Sequence, residues 1–168
     1  MRKDELKNKY NLEKHPEGGW FSEVYTCLDT SGGRALAGSI YFLLDGEEIS
    51  HFHRIDCDEV WYFHEGCGLK ITVIYNEKIY TLLLGMGSDE YPMAVIPKGA
   101  VFAAENVDHE GYTFMSCMTA PKFSYEGFEL MTRSQLFSEC PGLSPELYRL
   151  IIDLPSETSS KKSCEGDN

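Results

Sequence analysis

Three side chains that can ligate a metal or transfer a proton lie close together between residues 50 and 66, namely His51, His53 and Glu59. Side chains alternate between the two faces of a β-strand, so His51 and His53 should share one face and Phe52 should point away from them. A short turn follows, and the next strand can bring Glu59 opposite the histidine pair. The stretch predicts a functional site without naming its reaction.

One interpretation of this site is a metal centre. Two histidines and one carboxylate form a facial triad that suits Fe, Mn, Ni or Zn as divalent ions and leaves coordination positions open for substrate. His51, His53 and Glu59 would be its three ligands. The alternative is that His51 has no ligand role and is simply packed or exposed.

A second interpretation needs no metal, with His53 and Glu59 as the catalytic acid and base. An imidazole with an ordinary pKa near 6.5 can accept and return a proton at neutral pH, as an isomerase or epimerase requires. Strand alternation places Trp61 and Phe63 on the face of Glu59, and burial among aromatic rings would raise the pKa of this carboxyl. The competing explanation is that Glu59 only pairs with Arg54 or a neighbouring histidine.

Composition narrows the class of protein. A chain of 168 residues is long enough for one domain with a good core. Its net charge of −12 argues against binding nucleic acid or an anionic membrane surface. No apolar run approaches a membrane span, the charged N-terminus does not resemble a signal peptide, and the six cysteines form no Cys-x-x-Cys pair. We therefore expect a reduced, cytoplasmic protein.

The elements that must position the site are mostly short strands. Besides the strand of the histidine pair, alternating or apolar runs separated by turn signals predict strands at 20–27, 37–44, 59–64, 68–75, 78–85, 93–96, 101–105, 112–119 and 128–131. Short helices are predicted near both ends, at 3–10, 133–140 and 145–152. Such an all-β pattern indicates a sandwich or barrel. We expect one domain over 1–153 and a disordered tail over 154–168.

The stretch around the histidine pair resembles the first motif of the cupin superfamily, whose fold is a double-stranded β-helix or jelly roll. His51, His53, Glu59 and Gly66 match the motif, and the interval from Glu59 to Gly66 fits. Five residues separate His53 from Glu59, where the motif has three or four, and the opening glycine is not in place. The second motif has the form Pro-x-Gly-x-x-His. Residues 97–102 reproduce its turn but end in phenylalanine.

A narrower resemblance accounts for that phenylalanine. Residues 15–20 (His-Pro-Glu-Gly-Gly-Trp), 50–54, 58–61 and 120–123 look like the fifth cupin family, a domain of unknown function that has been likened to nucleotide-sugar epimerases. In that family the position of Phe102 usually carries an aromatic residue. The resemblance implies a jelly roll and makes His15 and Glu17 credible pocket or dimer-interface residues, although their own sequence predicts only a turn.

The resemblance implies a small-molecule pocket inside the barrel. We expect it to be lined by His51, His53, Glu59, Trp61 and Phe102, with Glu23 and Tyr41 further out. The expected function is binding, and turnover by isomerisation or epimerisation, of a sugar-like or carboxylate ligand. A metal-dependent enzyme of the dioxygenase type and a non-catalytic sensor are the alternatives. Family resemblance also implies a homodimer, with the N-terminal strand available to add to a partner sheet.

Overall fold

Two antiparallel sheets dominate the fold. The structure is a computed structural model and describes residues 1–152. Helix α1 spans Arg2–Lys9 and helix α2 spans Arg133–Glu139, with 3-10 helices at Tyr125–Gly127 and Pro145–Leu150. The strands, in chain order, are β1 Glu13–Lys14, β2 Trp20–Thr26, β3 Thr30–Ser31, β4 Arg34–Ala35, β5 Gly38–Asp45, β6 Ile49–Ile55, β7 Asp58–Gly66, β8 Leu69–Tyr75, β9 Lys78–Leu84, β10 Met93–Ile96, β11 Val101–Asn106, β12 Tyr112–Ala120 and β13 Phe128–Leu130.

The topology confirms the predicted jelly roll. One sheet has the order β1-β2-β5-β12-β7-β10, and the other has the order β13-β6-β11-β8-β9. Strand β12 lies in the middle of the first sheet and β13 at an edge of the second, as their apolar content and position in the chain predicted. A small β3-β4 hairpin lies between the strands predicted at 20–27 and 37–44, where no strand was predicted.

The core lies between the two large sheets because one face of each strand is apolar. Phe42 of β5, Trp61 of β7, Phe102 of β11 and Met115 of β12 pack there and are almost completely buried. At about 25 cal/mol per Å² of buried apolar surface, each large side chain of this kind contributes roughly 2–3 kcal/mol. The sheets thus enclose a space whose walls are held rigidly.

Helices cover the outer faces of both sheets. Phe52 of β6 and Val101 and Ala103 of β11 pack outward against α2 and the last 3-10 helix. On the other sheet, Leu6 of α1 packs against Leu43. The central strands are consequently apolar on both faces, as is typical of strands covered on two sides. No described helix is long and apolar enough to cross a membrane.

Two details differ from the sequence predictions, and a third prediction is not tested. The turn after β6 leads the chain into the opposite sheet, so β6 and β7 do not pair as a hairpin; β6 pairs with β11 and β13, and β7 with β10 and β12. The closing helix, predicted at 145–152, is of the 3-10 type and spans Pro145–Leu150. The predicted disordered tail over 154–168 lies outside the described residues.

Candidate functional site

A cavity of about 490 Å³ opens between the two sheets. This volume is within the range of ligand pockets for small organic molecules. Its walls carry an unusual number of titratable groups, contributed by both sheets and by the segments that precede β2 and follow β12. These groups are Glu13, His15, Glu17, Glu23, His53, Glu59, Cys117, Lys122 and Tyr125.

His53 lies on the β6 wall and is only 2% exposed. Its Nδ1 is 2.7 Å from the backbone carbonyl oxygen of His51, and a carbonyl can only accept, so Nδ1 carries a proton. Neutral His53 therefore has its lone pair on Nε2. The ring packs against Phe102, with the ring centroids 4.1 Å apart, which fixes the direction of Nε2.

Glu17 faces this nitrogen from the segment that precedes β2. Its Oε2 is 3.2 Å from His53 Nε2, and its Oε1 accepts a 2.8 Å hydrogen bond from Ser50 Oγ. The backbone N–H of His51 donates to the Glu17 carbonyl oxygen and holds the segment against β6. Gly18 makes this approach feasible, because its φ is +111° and a Cβ there would lie 1.9 Å from the Ile49 carbonyl oxygen.

The protonation of this pair follows from its burial. Burial raises the pKa of Glu17 and lowers the pKa of His53, so both groups favour their neutral forms. A neutral Glu17 carboxyl can donate its proton to His53 Nε2, whereas an ionised carboxylate would face a bare lone pair. Glu17 and His53 thus share one proton inside the cavity wall.

His15 extends the network beyond Glu17. Its Nδ1 accepts the backbone N–H of Glu17 at 3.3 Å and lies 3.4 Å from Glu17 Oε2. Neutral His15 consequently carries its proton on Nε2. Burial lowers the pKa of His15, and its ring sits in an aromatic cluster that includes Phe21 at a centroid distance of 4.7 Å.

Glu59 lies on β7, in the sheet that faces β6. It is 9% exposed, and burial raises its pKa to about 7, with a smaller contribution from repulsion by the Glu17 carboxyl whenever that group is ionised. The indole of Trp61 and the thiol of Cys117 lie close enough to lower that pKa slightly. The Trp61 Nε1–H nevertheless makes no hydrogen bond of good geometry with a described residue. A carboxyl with a pKa near 7 can give or take a proton at neutral pH.

The prediction that His51 shares a face with His53 is wrong. Phe102 pairs with His53 and Ala104 with Ser50, so two residues of β6 oppose one residue of β11. This β-bulge shifts the alternation by one position, and Ser50 rather than His51 lies on the side of His53, where it is completely buried and hydrogen-bonded to Glu17. The His51 Nδ1 instead lies 3.3 Å from the carbonyl oxygen of Leu150, in the 3-10 helix outside the sheet.

Two other predicted lining residues also lie elsewhere. Tyr41 points to the outer face of the sheet, where its ring packs against Tyr10 and Phe114. Phe102 is completely buried behind His53 and is not part of the cavity wall. Tyr41 was misplaced because β5 is apolar on both faces. Phe102 was misplaced because the His53 ring separates it from the cavity.

Glu23 and Trp61 do line the cavity. Glu23 sits at its rim, where Oε2 pairs with Lys122 Nζ at 2.7 Å. Trp61 is 1% exposed and forms part of the inner wall beside Glu59. Their roles in binding stay predictions.

Sequence reasoning placed no weight on several residues that the structure brings to the cavity. They are Cys117, Thr119, Lys122 and Tyr125, together with His15 and Glu17, which the family resemblance pointed to. Ser50 lies behind this wall and donates a hydrogen bond to Glu17. The only sequence signal for Lys122 was its position in the 120–123 block of that resemblance. Nothing in the spacing of Ser50 indicated its role, because the bulge that turns it inward has no residue signature.

The three predicted metal ligands do not converge. His51 faces away from the cavity that His53 and Glu59 line. Among residues 1–152 no group of three or more histidine, cysteine, aspartate or glutamate side chains has an arrangement that could hold a metal ion. The predicted triad of His51, His53 and Glu59 is therefore wrong as a set.

Comparisons with known proteins agree with this architecture. The family described as Cupin superfamily (DUF985) matches residues 4–131. A structural-genomics protein from Shewanella oneidensis is 37% identical, with a TM-score of 0.78 over 82% of this chain and 89% of that one. A hypothetical protein from Leishmania major is 28% identical, with a TM-score of 0.81 over 88% and 97% of the two chains. No curated protein matches the chain significantly.

A more distant likeness shows the fold alone. Bacillus subtilis oxalate decarboxylase, described for its Mn(II) centres, is 18% identical, with a TM-score of 0.52. The match covers 71% of this chain and 30% of that one. It places the two-sheet architecture among jelly rolls and carries no information on the ligand.

Proposed function

The chain belongs to the DUF985 family of the cupin superfamily, and from that premise we propose that it binds a small sugar-like molecule in the cavity and isomerises or epimerises it by proton transfer. One observation carries the proposal. The Glu17–His53 pair and Glu59, with a pKa of about 7, line the same cavity from opposite walls. A sugar-like ligand is favoured over a carboxylate because Lys122, the lysine that lines the cavity, is paired with Glu23, whereas Glu13 and Glu59 have no cationic partner among the described residues.

Opposed walls suit a two-base reaction. Epimerisation requires one group to remove a proton from a carbon atom and another to return a proton to its opposite face. Both ring nitrogens of His53 are engaged, so the Glu17 carboxyl is the member of the pair that meets the ligand, while His53 accepts or returns the shared proton. Glu59 performs the complementary transfer from the facing sheet.

A metal-dependent reaction of the dioxygenase type fits less well. Bacillus subtilis oxalate decarboxylase, which shares the jelly-roll fold, is described for its Mn(II) centres. In this chain the bulge in β6 carries His51 out of the cavity, and Phe102 stands where the second cupin motif has histidine. Of the predicted triad only His53 and Glu59 line the cavity, and no described group of three or more histidine, cysteine, aspartate or glutamate side chains is arranged to hold a metal ion. We therefore route no step of the proposed reaction through a metal.

Solvent-proton exchange tests the proposal against the sensor alternative. The protein is incubated in D₂O with free aldoses, ketoses and their nucleotide-linked forms, and incorporation of deuterium at carbon is followed by NMR and mass spectrometry. We expect incorporation into at least one sugar at a rate well above the protein-free background. A ligand that binds, as detected by a rise in melting temperature, but never exchanges would favour a non-catalytic sensor and contradict the enzymatic proposal.

We also propose a cytoplasmic homodimer. Strand β1 pairs with β2 only at Trp20 and Phe21, so the rest of that edge of β2 has no strand partner among the described residues. An open edge can accept a strand from a second copy. Light scattering coupled to gel filtration should give twice the chain mass of 19.0 kDa, and a single species at that chain mass would contradict a dimer.

The cytoplasmic location is supported by the cysteines. The free thiols among the described residues, at Cys27, Cys57, Cys67, Cys117 and Cys140, suit a reducing compartment.

A further inference from the structure

The cavity has an excess of negative groups over permanent positive ones. Four glutamates line it, Glu13, Glu17, Glu23 and Glu59, against a single lysine, Lys122. Lys122 and Glu23 neutralise each other, because Lys122 Nζ lies 2.7 Å from Glu23 Oε2, and burial favours the neutral form of Glu17. The two glutamates left without a cationic partner among the described residues are Glu13 and Glu59. His15 and His53 add no fixed positive charge, since burial lowers the pKa of both. An anionic ligand would therefore meet repulsion without a counter-charge.

Glu59 is the least compensated of these groups. It is 9% exposed, and the group of opposite charge that acts on it is His53, whose burial disfavours the positive form. The side chains that contact it, Trp61 and Cys117, are weak or poorly aligned donors. A carboxylate buried without a cation is costly, and such a group requires an explanation in terms of what completes its surroundings. A positive group on the ligand would supply the missing partner.

Two further features of the cavity wall indicate which other groups the ligand should carry. The Trp61 indole N–H is 1% exposed, lines the cavity and has no hydrogen-bond acceptor of good geometry among the described residues. An oxygen atom of the ligand would satisfy it. Phe21, Phe123 and Tyr125 add aromatic rings to the wall, and aromatic faces attract organic cations.

We infer that the cavity selects a ligand that carries a protonated amine next to a hydroxyl or carbonyl oxygen, as an amino sugar does. The amine would lie against Glu59 and the oxygen would accept from Trp61 Nε1–H. This inference rests on the proposed function only in taking the same cavity as the ligand site, and it narrows the substrate class from sugar-like to amine-bearing.

Three sugars that share one ring and differ in charge test the inference. D-glucosamine, D-glucose and D-glucuronate are titrated into the full-length protein at pH 7.5, with binding followed by calorimetry and saturation-transfer NMR. We expect glucosamine to bind at least about tenfold more tightly than glucose, and glucuronate to bind most weakly. Glu59→Gln should remove most of the preference for glucosamine. Glu47→Gln, which removes the same charge at an exposed position away from the cavity, should retain it.

Several outcomes would overturn the inference. They are equal binding of glucosamine and glucose, tighter binding of glucuronate, no binding of glucosamine up to tens of millimolar, or an unchanged preference in Glu59→Gln with its melting transition intact. These outcomes are separate from those of the exchange experiment. A cavity that prefers glucosamine without catalysing deuterium exchange would sustain the inference and contradict the enzymatic function.

Discussion

Glu59→Gln is expected to stabilise the unliganded protein at alkaline pH. The folded-state pKa of Glu59 is about 7, above the ordinary value of 4.5 expected in the unfolded chain. Between pH 4.5 and pH 7 the folded state binds more protons at Glu59 than the unfolded state does. The contribution of Glu59 to the free energy of unfolding is therefore fully present below pH 4.5 and is lost as the pH rises through 7. A shift of this size corresponds to about 3 kcal/mol, at 1.36 kcal/mol per pKa unit.

Glutamine avoids this cost because it has the shape of the protonated acid and no charge. Urea unfolding at two pH values measures the effect. We expect Glu59→Gln to exceed the wild type in free energy of unfolding by about 3 kcal/mol at pH 8 and by less than about 1 kcal/mol at pH 5. The exposed variant Glu47→Gln should show no such pH-dependent gain. Equal stabilities of wild type and Glu59→Gln at both pH values would mean that Glu59 is well solvated.

A stabilising substitution at Glu59 would itself bear on function. Buried ionisable groups that lower stability are found preferentially at sites selected for chemistry. If glutamine at position 59 gives a more stable protein, the glutamate there is not explained by stability. Its role would then depend on a property that glutamine lacks, namely the ability to ionise and to exchange a proton.

The sequence predicted the architecture more fully than the site. Most strand positions followed from alternation and turn residues, and the strand over Met93–Ile96 was predicted to the residue. Alternation failed at His51, where the bulge changes the phase within β6. It was also uninformative at Tyr41, because β5 has apolar side chains on both faces and the pattern does not distinguish the covered face from the cavity.

Contacts between residues far apart in the chain are the second reason why the sequence did not predict the whole site. Glu17 lies in a turn 36 positions before His53, and no local pattern relates the two. They meet because Gly18 lets the chain approach the edge of β6 near Ile49. Prediction of a cluster formed in this way requires the three-dimensional path of the chain, since each residue in its own segment has an ordinary structural explanation.

Glu17 and His53 are expected to act as one unit in catalysis. Each residue is needed to hold or move the same proton, so Glu17→Gln and His53→Gln should each lower the rate of deuterium exchange by about 10²- to 10⁴-fold. The double variant should lose little more than either single variant, because groups that work together are strongly non-additive. Exchange rates are compared for the four proteins with the sugar that the wild type labels fastest.

His64→Gln is the matched control for the histidine substitution. His64 lies on the outer face of β7, hydrogen-bonded to Ser116, and takes no part in the cavity wall. This variant should exchange at the wild-type rate. Thermal melting identifies any variant that loses activity by unfolding. If the losses in the double variant multiply, with all four proteins folded, then Glu17 and His53 act independently, and the shared proton inferred from the 3.2 Å contact between Oε2 and Nε2 is not the one transferred.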